Sequence, residues 1–268
     1  MSRVSGSEAA GPGIVTSPEI EDTAGGVRVF RTAALADVPG LVAGITARVA
    51  GGGRGGADDF GLSTGGSAWA VSGRYAALAA GLGFPAACVC RQAHGTGVVE
   101  AGDAPPSGLW IAGEADGFAG RAAGRLFVVT VADCAPVYLV EPETRAFALL
   151  HAGWRGAAAG ILGRAVETLR GVHGRPASAL RLHIGPAICR DCYEVGPEVP
   201  RAFGRHARGK TTLDVGAEIV EQALSLGIDR GRISRSTLCS RGAGDRHHSH
   251  RGGGDRAGRM AAWLGCMD

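Results

Sequence analysis

The sequence predicts an α+β fold, a layered sandwich of mixed β-sheets flanked by helices in a single domain. Three observations carry that expectation. Leu126 to Ala132 and Val137 to Val140 are apolar runs of strand length lying close together. Segments with apolar residues at helical spacing lie on either side of them. The two kinds of segment mix without repeating as strict βαβ units, and there is no internal repeat.

In chain order, residues 1 to about 25 are rich in Ser, Gly, Glu and Ala without periodicity, which predicts a disordered tail. Residues 26–268 are then one folded domain. Leu41 to Arg48 reads as a short strand, followed by a mobile glycine-rich loop from Gly51 to Gly56. Ser72 to Leu82 carries Tyr75, Leu78, Ala79 and Leu82 at helical spacing and closes on Gly83. Arg145 to Leu150 is a further strand. Gly156 to Val172 is the strongest helix, with Ile161, Leu162, Ala165, Val166 and Leu169 on one face. Leu180 to Ile184 alternates as a strand, and Val215 to Leu226 is a second clear helix. Arg241 to Arg256, rich in Gly, Arg and His, predicts a solvated loop, and Asp255 to Leu264 a closing helix.

Composition narrows the function classes. With 268 residues, 45% of them hydrophobic, the chain can bury a sizeable core. A net charge of +3, from 28 basic and 25 acidic residues, is too balanced for a nucleic-acid footprint. Lys210 is the single lysine, and it sits in no setting suited to Schiff-base or P-loop chemistry. No stretch approaches the roughly 20 apolar residues of a membrane span, and Met1 to Ile14 lacks an apolar core of signal-peptide type. A cytoplasmic protein is expected. Its seven cysteines then read as thiols or metal ligands rather than a disulfide framework.

Three short segments concentrate the chemistry: Gln92-Ala-His94-Gly95, Ala132-Asp133-Cys134-Ala-Pro136 and His151-Ala-Gly153-Trp154-Arg155-Gly156. Each places a metal-binding side chain where a strand meets a turn. Two imidazoles and a thiolate suit Zn²⁺, and three protein ligands leave a fourth position open, as catalytic zinc requires. Taken singly, each residue also has a bland reading, a hydrogen-bonded histidine or a buried core thiol.

In this order the three segments resemble the laccase-domain family, also called multicopper polyphenol oxidases or peptidoglycan editing factors. Ile184-Gly-Pro186-Ala-Ile188 with Cys192-Tyr-Glu-Val195, Gly-Ile-Thr-Ala-Arg48 and Val71-Ser-Gly-Arg74 extend the resemblance from about residue 28 to the C-terminus. The chain departs from the family in three places, one of them the Gly-rich loop, which is longer and poorer in polar residues than usual. Gly73-Arg74 stands where Asn-Arg is usual, and His248-Ser249-His250-Arg251 where an aromatic–Ser–aromatic–Arg pattern is usual.

The resemblance implies a zinc site on His94, Cys134 and His151. It also implies phosphorolysis of adenosine, inosine, guanosine and methylthioadenosine, with deamination of adenosine. The partners are then a nucleoside and phosphate, not nucleic acid or membrane; the oligomeric state stays open. Older alternatives for the family are copper-dependent phenol oxidation and editing of peptidoglycan precursors.

The remaining candidates follow from this frame. Asp133 either orients a ligating histidine or caps a turn. Arg155, at a helix start, is an anion-site or surface residue. Arg48 and Arg74 are further phosphate candidates. Gln92 could read a purine edge, and Tyr193 and Glu194 could touch substrate. Cys189-Arg-Asp-Cys192 lacks a second pair beyond Cys88-Val-Cys90, which is poor support for a metal. A copper oxidase with a trinuclear cluster needs on the order of ten histidines in His-x-His pairs. This chain has 8 histidines and one such pair, His248-Ser-His250. A cysteine hydrolase with Cys134 as nucleophile and His151 or His94 as base is the stronger rival.

Overall fold

A computed structural model describes residues 14–64, 66–102, 107–242 and 244–267. In chain order the strands and helices are β1 (Val15–Ser17), β2 (Glu19–Ala24), β3 (Val27–Thr32), β4 (Leu41–Thr46), α1 (Ala68–Gly81), β5 (Ala86–Arg91), β6 (Val99–Ala101), β7 (Gly108–Glu114), β8 (Gly117–Gly120) and β9 (Arg125–Val131). They continue with β10 (Ala135–Glu141), β11 (Ala146–Ala152), α2 (Trp154–Ala158), α3 (Ile161–His173), β12 (Arg181–Ile184), β13 (Glu194–Val195), α4 (Glu198–Ala202), β14 (Thr211–Thr212), α5 (Val215–Ser225), β15 (Ile233–Ser236), α6 (His250–Gly253) and β16 (Met260–Cys266).

Two seven-stranded mixed sheets stack face to face. One runs β1-β15-β12-β10-β11-β8-β6, the other β2-β3-β4-β16-β9-β5-β7. The period-2 alternation of side chains divides the core into three layers. On β11, Phe147 and Leu149 point between the sheets, while Ala146, Ala148, Leu150 and Ala152 point towards α3 and α5. On β9, Phe127, Val129 and Val131 fill the inter-sheet layer, while Leu126 and Val128 pack under α1. Strands covered on both faces read as unbroken apolar runs rather than alternation, which is why β9, β10 and β11 stand out in the sequence.

The same physics overturns one expectation. The closing helix expected over Asp255 to Leu264 is absent; Met260–Cys266 is instead a central strand between β4 and β9. Its Met260, Ala262 and Leu264 face one layer, and Ala261 and Trp263 the other. A run apolar on every side has no periodicity that separates buried strand from buried helix.

Two other segments differ from expectation. Residues 1–13 of the expected tail lie outside the described residues, but Val15–Ser17 and Glu19–Ala24 are strands. β1 pairs parallel with β15, and β2 pairs with β3 across Gly25-Gly26, both at positive φ. The charged run of β2 belongs to a sheet edge, where Glu21 and Asp22 pair with Arg28 and Arg31 of β3. The helix expected over 156–172 is broken at Gly160 (φ 90°) into α2 and α3. α1 opens at Ala68, capped by the Ser67 hydroxyl, which accepts from the Ala70 N–H. Among the described residues no helix is long and apolar enough to cross a membrane.

Candidate active site

The candidate ligands gather where the chain crosses from one sheet to the other. Two crossings bring the site together: β7 to β8 through Asp116, and β9 to β10 through Asp133 and Cys134. In the antiparallel β10–β11 pair, Pro136 lies opposite His151 and Ala135 opposite Ala152. That register sets the thiol at the head of β10 beside the imidazole at the end of β11. His94 arrives from the turn after β5.

The donor atoms of His94, Cys134 and His151 lie within 4.8 Å of one another. The two imidazole rings meet edge to face with centroids 4.6 Å apart. Burial grades from His151 (buried) through Cys134 (half-buried) to His94 (exposed), so one side of the cluster opens to solvent. Two nitrogens and one sulfur at this spacing fit a tetrahedral metal with one position left for water or substrate. The first glycine of the hexapeptide is part of this fit. A Cβ on Gly153 would stand 2.9 Å from Cys134 Sγ and 3.2 Å from the His94 ring. On Gly156 it would stand 2.5 Å from the Gly95 carbonyl, where α2 seats against the His94 turn.

Asp116 organises the cluster, and the sequence offered no signal for it beyond an aspartate in the turn Glu114-Ala-Asp116-Gly117. Its Oδ1 accepts the His94 N–H at 2.9 Å and meets His151 Nδ1 at 2.8 Å; its Oδ2 accepts the Gly95 and Ala93 N–H groups at 2.7 and 3.2 Å. Burial works against this carboxylate, but the His151 imidazole and the Gly95 and His94 N–H groups outweigh it and hold its carboxyl below the usual range. The bond to Nδ1 leaves Nε2 of His151 as the nitrogen that could meet a metal. The three N–H bonds hold His94 at its positive φ of 58°.

Without metal, Cys134 and His151 each favour the charged form of the other. Burial alone would raise the Cys134 thiol, but the charge of His151 and hydrogen bonds from His151 and His94 pull it down to about 6. Burial likewise disfavours imidazolium at His151, yet the thiolate and Asp116 raise it to about 9.

The other predicted residues divide. Among the described residues, the side-chain bonds of Asp133 run to the C-terminal segment. Held at φ 85°, it accepts the Ser240 hydroxyl at 2.6 Å and the Arg251 N–H at 2.7 Å, so it ties the C-terminal segment to the strand that carries Cys134. Gln92 turns its amide to Thr130 on β9. Its Nε2 donates to the Thr130 carbonyl at 2.8 Å, and its Oε1 accepts the Thr130 N–H at 2.6 Å. Glu194 is exposed and pairs with Lys210 at 3.1 Å. Tyr193 is buried under the Arg251 guanidinium, 4.9 Å from its ring, and its phenol is raised by burial and by the charge of Cys134. Arg155 is exposed and stacks on Trp154 at 4.3 Å, but the one-turn α2 offers no long-helix dipole there.

Arg48 borders an open cleft of about 1150 Å³ together with Arg54, Ser240, Arg241, Ser249 and Arg256. The cleft adjoins the donor cluster through the Ser240–Asp133 bond rather than containing it. Arg74, on α1, does not line it, and its buried Nε and Nη2 have no partner among the described residues. The supposed solvated loop after Arg241 is also revised. His247 stacks on Phe30 at 5.3 Å, and His248 Nε2 lies 3.1 Å from Asp58; both are buried.

Comparison with known proteins identifies the family and the fold. The sequence profile described as multi-copper polyphenol oxidoreductase laccase matches residues 42–267. A purine nucleoside phosphorylase of Deinococcus radiodurans is 35% identical over 73% of this chain and 77% of its own length. The purine nucleoside phosphorylase YlmD of Geobacillus stearothermophilus is 30% identical over 84% of this chain and 90% of its own length. A protein named adenosine deaminase RL5, from an unknown prokaryotic organism, is 33% identical over 47% of this chain and 52% of its own length. The crystal structure of Geobacillus YlmD superposes with a TM-score of 0.80 at 27% identity, covering 94% of this chain and all (100%) of that one. The chain belongs to the multi-copper polyphenol oxidoreductase laccase family.

Proposed function

We propose that this chain is a zinc-dependent purine nucleoside phosphorylase acting on adenosine, inosine, guanosine or methylthioadenosine, with adenosine deamination as a second activity. The observation that carries this reading is the convergence of His94, Cys134 and His151, oriented by Asp116, beside an arginine-bordered cleft. The names of the Deinococcus and Geobacillus relatives support the substrate class.

In phosphorolysis a phosphate oxygen bonds to C1′ of the ribose as the bond from C1′ to the purine nitrogen breaks. The electron pair leaves with the base, which takes up a proton. Zinc bound here supplies a Lewis acid for negative charge that develops in the reaction. The protein groups do the holding. Arg48, Arg54, Arg241 and Arg256 around the cleft suit a dianionic phosphate. Asp116 keeps both imidazoles in register. Tyr193, its phenol raised by burial and by the charge of Cys134, stays a hydrogen-bond donor. Asp133 and Arg251 close the segment that borders the cleft.

Incubating zinc-loaded protein with adenosine, with and without phosphate, tests the proposal. Adenine release that requires phosphate supports phosphorolysis, and inosine formed without phosphate supports deamination. Inertness to all four nucleosides contradicts the reading.

One observation favours a second reading. Asp116, His151 and Cys134 are also arranged as the orienter, base and nucleophile of a cysteine hydrolase, which would cleave an amide such as those in peptidoglycan precursors. A metal-bound thiolate is a muted nucleophile, so chelation separates the two: it abolishes the phosphorylase and activates the hydrolase.

A further inference from the structure

Outside the active site, one more cluster of metal-binding side chains forms among the described residues: Cys189, Cys192 and Cys239, whose sulfurs lie within 4.8 Å of one another. Cys189 and Cys192 flank a single 3₁₀ turn, closed by the Cys192 N–H donating to the Cys189 carbonyl at 3.1 Å. Cys239 comes from a segment some fifty residues later in the chain, held alongside by a parallel bridge to Ala187 and by the Ser240 N–H on the Ala187 carbonyl at 3.0 Å.

The local backbone suits a metal-bound thiolate. The N–H groups of Cys189 and Gly242 both point at Cys239 Sγ, at 3.2 and 3.3 Å. Two donors on one sulfur satisfy an anion better than a neutral thiol, which is a weak acceptor. The Arg241 side chain, donating to the Cys192 carbonyl at 3.1 Å, adds positive charge beside three sulfurs. All three cysteines are half-buried, so the cluster is held by the fold yet open to solvent for a fourth, non-protein ligand.

We infer that Cys189, Cys192 and Cys239 form a second metal site, for a thiophilic ion of the Zn²⁺ class, distinct from the site on His94, Cys134 and His151. Binding displaces the protons of the thiols that are still protonated and joins each sulfur to the ion, with no change of oxidation state. Soft thiolates select zinc over the hard cations. The consequence is mechanical. The ion clamps the segment after β15 to the loop after β12, and Ser240, next to Cys239, then holds Asp133 beside Cys134.

The test is cobalt titration of metal-free protein kept reduced, comparing wild type with Cys239→Ser, Cys192→Ser and Cys134→Ala. Wild type should bind two cobalt ions per chain, and each variant one. The sulfur-to-cobalt absorption per bound ion should be strong in Cys134→Ala, which keeps the three-sulfur site. It should be weak in Cys239→Ser and Cys192→Ser, which keep a site with one sulfur. A readout on unmutated protein guards against variants that fail to fold. One equivalent of zinc beyond the first should protect Cys189, Cys192 and Cys239 from maleimide labelling, read by peptide mass, and a chelator should reverse the protection. Wild type that binds a single cobalt, labelling that ignores zinc, or a disulfide among the three in the reduced protein each overturns the inference.

Discussion

Replacing Asp116 with Asn separates the orienting role of this carboxylate from mere space-filling. The side chain is nearly isosteric, so the cavity is unchanged. The carboxylate now takes three backbone N–H groups and His151 Nδ1 on its two oxygens. An amide has one acceptor oxygen, so whichever way it turns, its NH₂ confronts two donors. Hydrogen bonds to a charged partner are worth about 1.5–3 kcal/mol each. Losing one outright and weakening the rest should lower stability by about 2–4 kcal/mol. Loss of a carboxylate behind a ligating histidine typically weakens metal binding about 10–100-fold. Chelator competition gives the zinc affinity, and urea unfolding of the metal-free protein gives the stability. An Asp116→Asn variant that binds zinc within about twofold of wild type and unfolds at the same urea concentration would refute the argument that Asp116 builds the site.

Other perturbations follow from single contacts. Gly153→Ala should lose zinc binding while remaining folded, because its methyl meets Cys134 Sγ and the His94 ring; unchanged metal content would show that the cluster yields to it. Gln92→Ala should lower stability by about 1–3 kcal/mol by stranding the Thr130 N–H, with KM for nucleoside unaltered; a raised KM would return Gln92 to the substrate. Burial, with help from the charge of Arg246, holds the His247 imidazole down to about 4. Above the ordinary histidine range folded and unfolded chains are both neutral there. As pH falls from about 6.5 towards 4 only the unfolded chain takes the proton, so stability drops by about 3 kcal/mol. His247→Phe should flatten that acid limb in urea titrations, and an unchanged limb would dismiss His247 as its source. In metal-free protein, alkylation of Cys134 should follow a thiolate titrating near 6, and His151→Ala should move its midpoint to higher pH.

Much of the fold could be read from the sequence because its central strands are buried on both faces. Leu126 to Ala132 and Val137 to Val140 announce themselves by unbroken apolarity, and β9 and β10 are there. The same property misleads at β16, where Met-Ala-Ala-Trp-Leu fits a helix equally well and only pairing with β4 and β9 decides. Edge strands such as β2 bury little and leave no hydrophobic signature. The cluster of candidate donors, His94, Cys134 and His151, was legible because each borders a strand, and the ordered motifs multiply three weak signals. Their support was not. Asp116 is one aspartate among many until two sheets bring its turn under His94 and His151. Cys239 is a solitary cysteine in sequence and meets Cys189 and Cys192 only through the chain path. Asp133 lies next to the candidate ligand Cys134, yet at its positive φ its carboxylate meets Ser240 and Arg251.

The central claim is that the metal on His94, Cys134 and His151 drives the reaction with nucleoside. It is tested most directly by adding zinc stepwise to metal-free protein and following phosphate-dependent release of adenine from adenosine. The account predicts negligible turnover without metal, a rate that climbs until this site fills, and no rise in Cys134→Ala at any zinc concentration. Full activity in the metal-free protein, or an identical titration in Cys134→Ala, would contradict it.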